Sequence, residues 1–258
     1  MALIERRDEA GVRVLTLNRP ERRNALSIEL VDALAVALGE GGEDQGVRAI
    51  VLAGRGEAFC AGGDLGGSMG AGGGFLDGHQ DRGRYAALMA QIPRLRVPVI
   101  AAIHGVAYGG GLGLVAACDL AVADRDARLG TPEIRVGLFP WIILAALQRD
   151  VPRKPLMQMI LTGEPIEAPR AQALGLINAV SEPSAALEDA CVLAERIASA
   201  SPAVVALGKA AFHRIADQPY EDALAYMHAQ LSLNLLTEDA MEGIGAFLQK
   251  RAPEWKGR

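Results

Sequence analysis

Aromatic residues make up only 4% of the 258-residue chain, so its core has to be built from Ala, Leu, Val and Ile. Cysteine is scarce too. Cys60, Cys118 and Cys191 are odd in number, far apart, and form no CxxC pair and no Cys/His cluster. That argues against a disulfide framework and against a zinc site. No apolar run approaches the roughly 18 residues of a membrane-crossing helix. The opening MALIERRDEAG has no apolar h-region, so no signal peptide is expected and a reduced, cytoplasmic compartment is the default. There is no block of Lys and Arg, and the net charge is −5, so neither a nucleic-acid partner nor a membrane surface is expected.

Half of the residues are hydrophobic, and the length suits one large domain or a domain with a small helical appendage. Residues 12–18 alternate and are rich in β-branched types, which predicts a strand. Ser27 is placed to cap a helix over 28–38, which the glycines of 39–42 should stop. Near-continuous apolar runs at 47–53 and 97–103 predict strands buried on both faces, and 119–123 a further strand. A helix is expected at 81–95. After about residue 150 the helical period takes over, with helices predicted at 152–161, 169–174, 185–200, 202–216, 220–236 and 238–249. Pro202 after Ser201 is a typical helix start. The fold class is therefore an α/β core, taken as residues 1–195, with a C-terminal helical region over 196–258.

Two glycine-rich segments share one layout. The strand at 47–53 leads to FCAGGDL (59–65), and the strand at 99–103 leads to HGVAYGGG (104–111). Loops at the C-terminal ends of parallel strands line ligand crevices. Glycine lets a ligand approach the backbone and leaves N–H groups accessible. In the second segment a helix is expected to start near Gly110, where N–H groups have no intrahelical partner and the dipole favours negative charge. Two such donors aimed at one oxygen would make an oxyanion hole. A rival reading takes Gly111, Gly113 and Ala116 as a GxGxxA dinucleotide fingerprint, but the match is mid-chain, and Glu133 stands in a turn rather than at a second strand end. The long segment 54–83 has the glycine content of a mobile, functional loop.

NRPERRNALS (18–27), FCAGGDL (59–65), HGVAYGGG (104–111) with CDL (118–120), GTPE (130–133) with GLFP (137–140), and EGIGAFLQKR (242–251) occur in order. Together they resemble the enoyl-CoA hydratase/isomerase, or crotonase, superfamily. The resemblance spans residues 18–251 and implies a ClpP-like ββα spiral core with C-terminal trimerisation helices. It also implies an acyl-CoA thioester as substrate, no cofactor other than the CoA the substrate carries, and a homotrimer or a hexamer of two trimers. By motif position, the oxyanion donors would be the N–H groups of Gly63 and Gly110. Arg23 and Ala25 fall where relatives contact CoA, and Ala61, Gly62, Gly63, Asp64 and Leu65 on the pantetheine and adenine path. Tyr108, Gly109, Pro132 and Trp141 would line the substrate site. Phe247 and Lys250 match positions that reach a neighbouring subunit's CoA.

The chain departs from the family pattern in one place that bears on chemistry. Hydratases of the family usually carry two glutamates, one two residues after the Gly-Gly-Gly run and one in the x-Pro-Glu turn. The first position is Gly113 here, and the second is Glu133. The resemblance therefore implies a one-carboxylate member, similar to Δ3-Δ2-enoyl-CoA isomerases that also keep only the second glutamate. One carboxylate suffices to take a proton from the α-carbon and return it at the γ-carbon. Trp141, Ile142 and Ile143 are expected to add a bulky, dry wall. His79 and Asp77 are candidates to replace the missing carboxylate, and His104, Asp64 and Asp119 read as structural anchors. Double-bond isomerisation is the first expectation. Hydration of a 2-enoyl-CoA, or dehydration of a 3-hydroxyacyl-CoA, is the alternative, and a non-catalytic acyl-CoA-binding member the remote one.

Overall fold

The computed structural model describes residues 2–64, 66 and 74–258. Its strands are β1 (Ile4–Glu9), β2 (Val12–Leu17), β3 (Ala49–Gly54), β4 (Val99–Ile103), β5 (Val106–Tyr108), β6 (Leu120–Asp124), β7 (Arg128–Gly130), β8 (Ile166–Glu167) and β9 (Ala179–Ser181). Its helices are α1 (Ile28–Glu43), α2 (Phe75–Gln91), α3 (Gly110–Ala117), α4 (Trp141–Asp150), α5 (Arg153–Thr162), α6 (Ala168–Ala173), α7 (Ala186–Ala198), α8 (Pro202–Ile215), α9 (Tyr220–Asn234) and α10 (Glu238–Gln249). Six strands form one sheet in the order β1-β2-β3-β4-β6-β9, and β5-β7-β8 form a smaller one. Every pairing from β2 to β9 in the larger sheet is parallel; only β1 runs antiparallel, against β2.

The buried strands divide their side chains between two layers, as the pleat requires. Ile50 and Leu52 of β3 face the core shared with α1 and α2, which includes Leu30, Leu34, Leu88 and Ile92. Ala49, Val51 and Ala53 face the other way, onto Ala186, Ala190, Ala194 and Ala198 of α7. Those four alanines recur every fourth residue, so α7 presents one small-residue face and lies close to the sheet. Among the described residues no single helix is long and apolar enough to cross a membrane; α7 and α8 together are, but they bend by 107° at their junction, and the inner face of α7 is packed on the sheet.

Several boundaries differ from the sequence-based expectation. α1 runs on to Glu43 instead of stopping at the glycines. Gly41 is buried there, and a β-carbon on it would stand 2.8 Å from Ile50 Cδ1, so its small size lets the helix end pack on β3. This packing outweighs the ~1 kcal/mol that a helical glycine costs. α2 starts at Phe75 rather than 81, where the Asp77 carboxylate accepts from the Gly74 N–H at 3.1 Å and caps the helix. Residues 141–150, expected only to supply a wall segment, form the helix α4. β1 was missed because its sequence, IERRDE, is that of a polar edge strand; it is joined to β2 by a two-residue turn, Ala10 (φ +49°) and Gly11 (φ +80°).

The later helices follow the expected pattern within a few residues. Ser201 Oγ accepts from Val204 N at 3.1 Å and caps α8, with Pro202 at its first position. Lys209 ties α8 to the core. Its Nζ is buried and donates to Ile92 O (3.0 Å), Val97 O (2.9 Å) and Asp119 Oδ2 (2.6 Å). Asp119 also accepts from the Val99 N–H and contacts His213 Nε2, so it anchors β4 and α8 together.

Candidate active site

Three backbone segments lie side by side and build the site. On one flank, Ala61 N donates to Arg23 O (2.9 Å), Leu26 N to Gly62 O (2.8 Å), and Asp64 N to Leu26 O (3.1 Å). On the other, Phe59 N donates to His104 O, Cys60 N to Val106 O, and Tyr108 N to Cys60 O, each at 3.0 Å. The FCAGGD strip is thus laced between the NRPERRNALS turn and β5. Asn24, which sequence reasoning passed over, holds that turn. It is fully buried at φ +55°, its Nδ2 donates to Arg55 O and Ala58 O, and its Oδ1 accepts from Arg19 N. An asparagine between two basic residues and an apolar pair was the available signal, since Asn tolerates the left-handed region. Cys60 beneath the strip is a buried thiol whose pKa is pushed up to about 12 by desolvation, and the three cysteines are free.

The lacing brings the two glycine loops together. A β-carbon on Gly62 would stand 3.7 Å from Gly110 N. Gly110 is the first residue of α3, as expected, and Gly109 before it has φ +49° and ψ −120°, a conformation open to glycine. Among the described residues neither the Gly63 N–H nor the Gly110 N–H has an acceptor. Gly63 faces open space, with nothing within 4 Å of a β-carbon placed there. Two unpaired N–H groups at adjoining loops are able to receive one oxygen atom.

Glu133 lies on the short 3-10 turn Pro132–Val136. Its Oε1 would lie 2.9 Å from a β-carbon on Gly109, so the carboxylate rests against the turn that presents the Gly110 N–H. Oε2 is buried with no hydrogen-bond partner among the described residues. Burial pushes the Glu133 pKa up, and its own backbone N–H pulls it partly back. A half-buried carboxylate with a free oxygen and, among the described residues, no ion-pair partner is suited to moving a proton.

Position 113 is closed as well as uncharged. A β-carbon on Gly113 would stand 2.9 Å from Ile143 Cβ and overlap both Ile143 Cγ2 and the Tyr85 hydroxyl. Tyr85, from α2, was not nominated from sequence; its helix was expected, but nothing local said which face met α3. Its hydroxyl donates to Gly110 O at 2.6 Å. The expected dry wall is corrected in part. Ile143 is buried, but Trp141 is 75% exposed, its ring tilted at 48° to that of Phe139 with centroids 5.0 Å apart. On α4, residues two apart point to nearly opposite sides, so Trp141 and Ile143 do not share a wall. Asp77 is engaged in capping α2, and His79 lies exposed on the same helix.

A cleft of about 350 Å³ leads to Gly63, lined by Arg22, Arg23, Ala25, Ala61 and Asp64 together with Glu21. Asp64 is paired with Arg19 at 3.1 Å. Among the described residues neither Arg22 nor Arg23 has an ion-pair partner, so the cleft offers two guanidinium groups to an anion. Tyr108 and Pro132 flank Gly109 and Glu133 in the chain, and both are half-buried. Leu65 lies outside the described residues. Phe247 on α10 and Lys250 at its C-terminal cap do not line this cleft, and Phe247 is 82% exposed.

Fold and site together define an α/β protein that presents two loop N–H groups, those of Gly63 and Gly110, near the half-buried carboxylate of Glu133. The sequence profile of the enoyl-CoA hydratase/isomerase family matches residues 7–258. A rat protein named enoyl-CoA hydratase domain-containing protein 3, mitochondrial, is 38% identical over 256 residues, covering 98% of this chain and 84% of that one. The crystal structure of an enoyl-CoA hydratase from Mycobacterium smegmatis superposes with a TM-score of 0.95 at 43% identity, covering 99% of each chain. That of human enoyl-CoA hydratase domain-containing protein 3 gives 0.93 at 35% identity, covering 98% of this chain and 100% of the other. The chain belongs to the enoyl-CoA hydratase/isomerase (crotonase) family, whose enzymes act on acyl-CoA thioesters.

Proposed function

We propose that this enzyme moves the double bond of an enoyl-CoA thioester from Δ3 to Δ2, with Glu133 as the acid/base group. The observation that carries the reading is the closure of position 113 by Ile143 and Tyr85, which leaves Glu133 as the carboxylate against the glycine loops. The Glu133 carboxylate takes a proton from the α-carbon, and the electron pair moves onto the thioester oxygen. The N–H groups of Gly63 and Gly110 hold that dienolate oxygen. The protonated Glu133 then returns its proton at the γ-carbon, and the double bond settles between the α- and β-carbons. Atoms balance without an added cofactor, since coenzyme A travels as part of the substrate.

We assign the CoA moiety to the cleft at Arg22 and Arg23, whose guanidinium groups suit phosphate oxygens, with Ala25, Ala61 and Asp64 along its lining. We assign Phe247 and Lys250 to a neighbouring subunit's CoA in a homotrimer. Exposed apolar side chains on α9 and α10, including Leu224, Leu231, Phe247 and Leu248, support an assembly through these helices. A cytoplasmic location belongs to the same proposal; the rat relative carries the word mitochondrial in its name, and fractionation of native cells decides between them.

Hydration is the second reading, favoured by the relatives' names and by the unpartnered Glu133 Oε2, which is free to accept from a water. The deciding experiment supplies a 3-enoyl-CoA and a 2-enoyl-CoA separately and follows both products. Conversion of the first with slow hydration of the second supports isomerisation. Rapid hydration with negligible isomerisation would sink it. An inert protein that still binds acyl-CoA would point to a non-catalytic role.

A further inference from the structure

We infer that Tyr85 is a positioning residue for the oxyanion hole, a role that rests on the proposed use of the Gly110 N–H. Gly109, Gly110 and Gly111 are three consecutive glycines, so no side chain of their own fixes these peptide planes. The N–H of Gly110 nevertheless has to point at one oxygen. Tyr85 reaches this point from outside the loop. It is 4% exposed, and its hydroxyl donates to Gly110 O at 2.6 Å. The phenol also bears on the flanking backbone: its oxygen would lie 3.6 Å from a β-carbon on Gly110 and would overlap one on Gly113. One rigid side chain therefore contacts the first turn of α3 at Gly110 and Gly113, a turn further along.

A phenol is well chosen for this. It has a single O–H donor, and Gly110 O takes it, so the hydroxyl has no other proton to offer the substrate. Burial pushes its pKa further above the ordinary tyrosine value, with Cys60 and Glu133 adding to the shift, so it stays a donor across the working pH range. Leu26 packs beside it, its Cδ1 2.9 Å from where a Gly110 β-carbon would be. The peptide that carries the Gly110 N–H is closed at Gly109 O, which accepts from Gly113 N at 3.0 Å, and Tyr85 fixes the next peptide at Gly110 O, so the two planes that meet at Gly110 are both held. A misplacement on the order of 1 Å at a reacting centre costs about 100-fold in rate.

The test is Tyr85→Phe, which removes one oxygen atom. Turnover per active site should fall roughly 10–100-fold with KM for the thioester changed less than about twofold. A 2,4-dienoyl-CoA bound to the wild type should show a red-shifted absorption band, because an oxyanion hole polarises its carbonyl, and Tyr85→Phe should lose most of that shift while binding free CoA as before. Site-specific replacement of Tyr85 by 3-fluorotyrosine keeps the donor and should retain the shift; it serves also if the phenylalanine variant folds poorly. An unchanged shift and unchanged kcat in Tyr85→Phe would overturn the inference and leave the oxyanion reading standing. No shift in the wild type, with the thioester demonstrably bound, would overturn both.

Discussion

Ile143 of α4 fills the space that a side chain at position 113 of α3 would need, with its Cβ 2.9 Å from the place of a Gly113 β-carbon. Gly113→Ala should therefore destabilise the protein by about 1–3 kcal/mol through overpacking. Ile143→Ala in the same chain should recover part of that loss. Thermal or denaturant unfolding of the two single variants and the double variant measures the coupling. Additive effects would mean that the two residues do not compete for the same space.

Glu133→Gln should lower turnover by about 10²–10⁴-fold, the range of a lost general acid/base, while free CoA binds as tightly as before. Steady-state kinetics and calorimetry give the two readouts. Retained turnover would show that another group moves the proton.

The same carboxylate sets a pH dependence. Burial raises its pKa in the folded protein, so kcat/KM should fall on acidification at a pH above the ordinary glutamate range, as the base becomes protonated. Stability moves in the opposite sense. The folded pKa exceeds the unfolded one, so this group's contribution to folding is fully present below the unfolded pKa and is lost as pH rises through the folded pKa. Glu133→Gln should thus melt higher than the wild type at neutral and alkaline pH, with the difference shrinking towards the acid end. A difference that grows on acidification would contradict the assigned direction.

Lys209→Met should destabilise the protein by about 3 kcal/mol, because it removes one partner of a buried ion pair and two further hydrogen bonds. The loss should appear first as release of α8 from the core, read by hydrogen exchange of the Ile92–Val99 region and of α8. Global unfolding with no early exchange in α8 would argue that Lys209 is not what docks it.

If α9 and α10 assemble the oligomer, Leu231→Glu on the exposed face of α9 should lower the mass measured by light scattering from that of a trimer towards that of a monomer. A wild-type chain that is monomeric at every concentration would refute the assembly.

Period and punctuation in the sequence determined the parallel strands, the two glycine loops behind them, the start of α3 at Gly110 and nearly every late helix. Those features depend on neighbours in the chain, which is why they are legible there. Ordered motifs also pointed to the family and to Glu133. What the sequence did not contain was the state of position 113. A glycine there reads as a missing carboxylate; whether the space is left for water or sealed depends on α2 and α4, 28 residues before and 30 residues after it in the chain. The fold brings Tyr85 and Ile143 onto that one spot, and it turns Trp141, two residues from Ile143, out to solvent. Long-range packing decided these placements, because the period of a helix says which residues share a face but not which neighbour that face will meet.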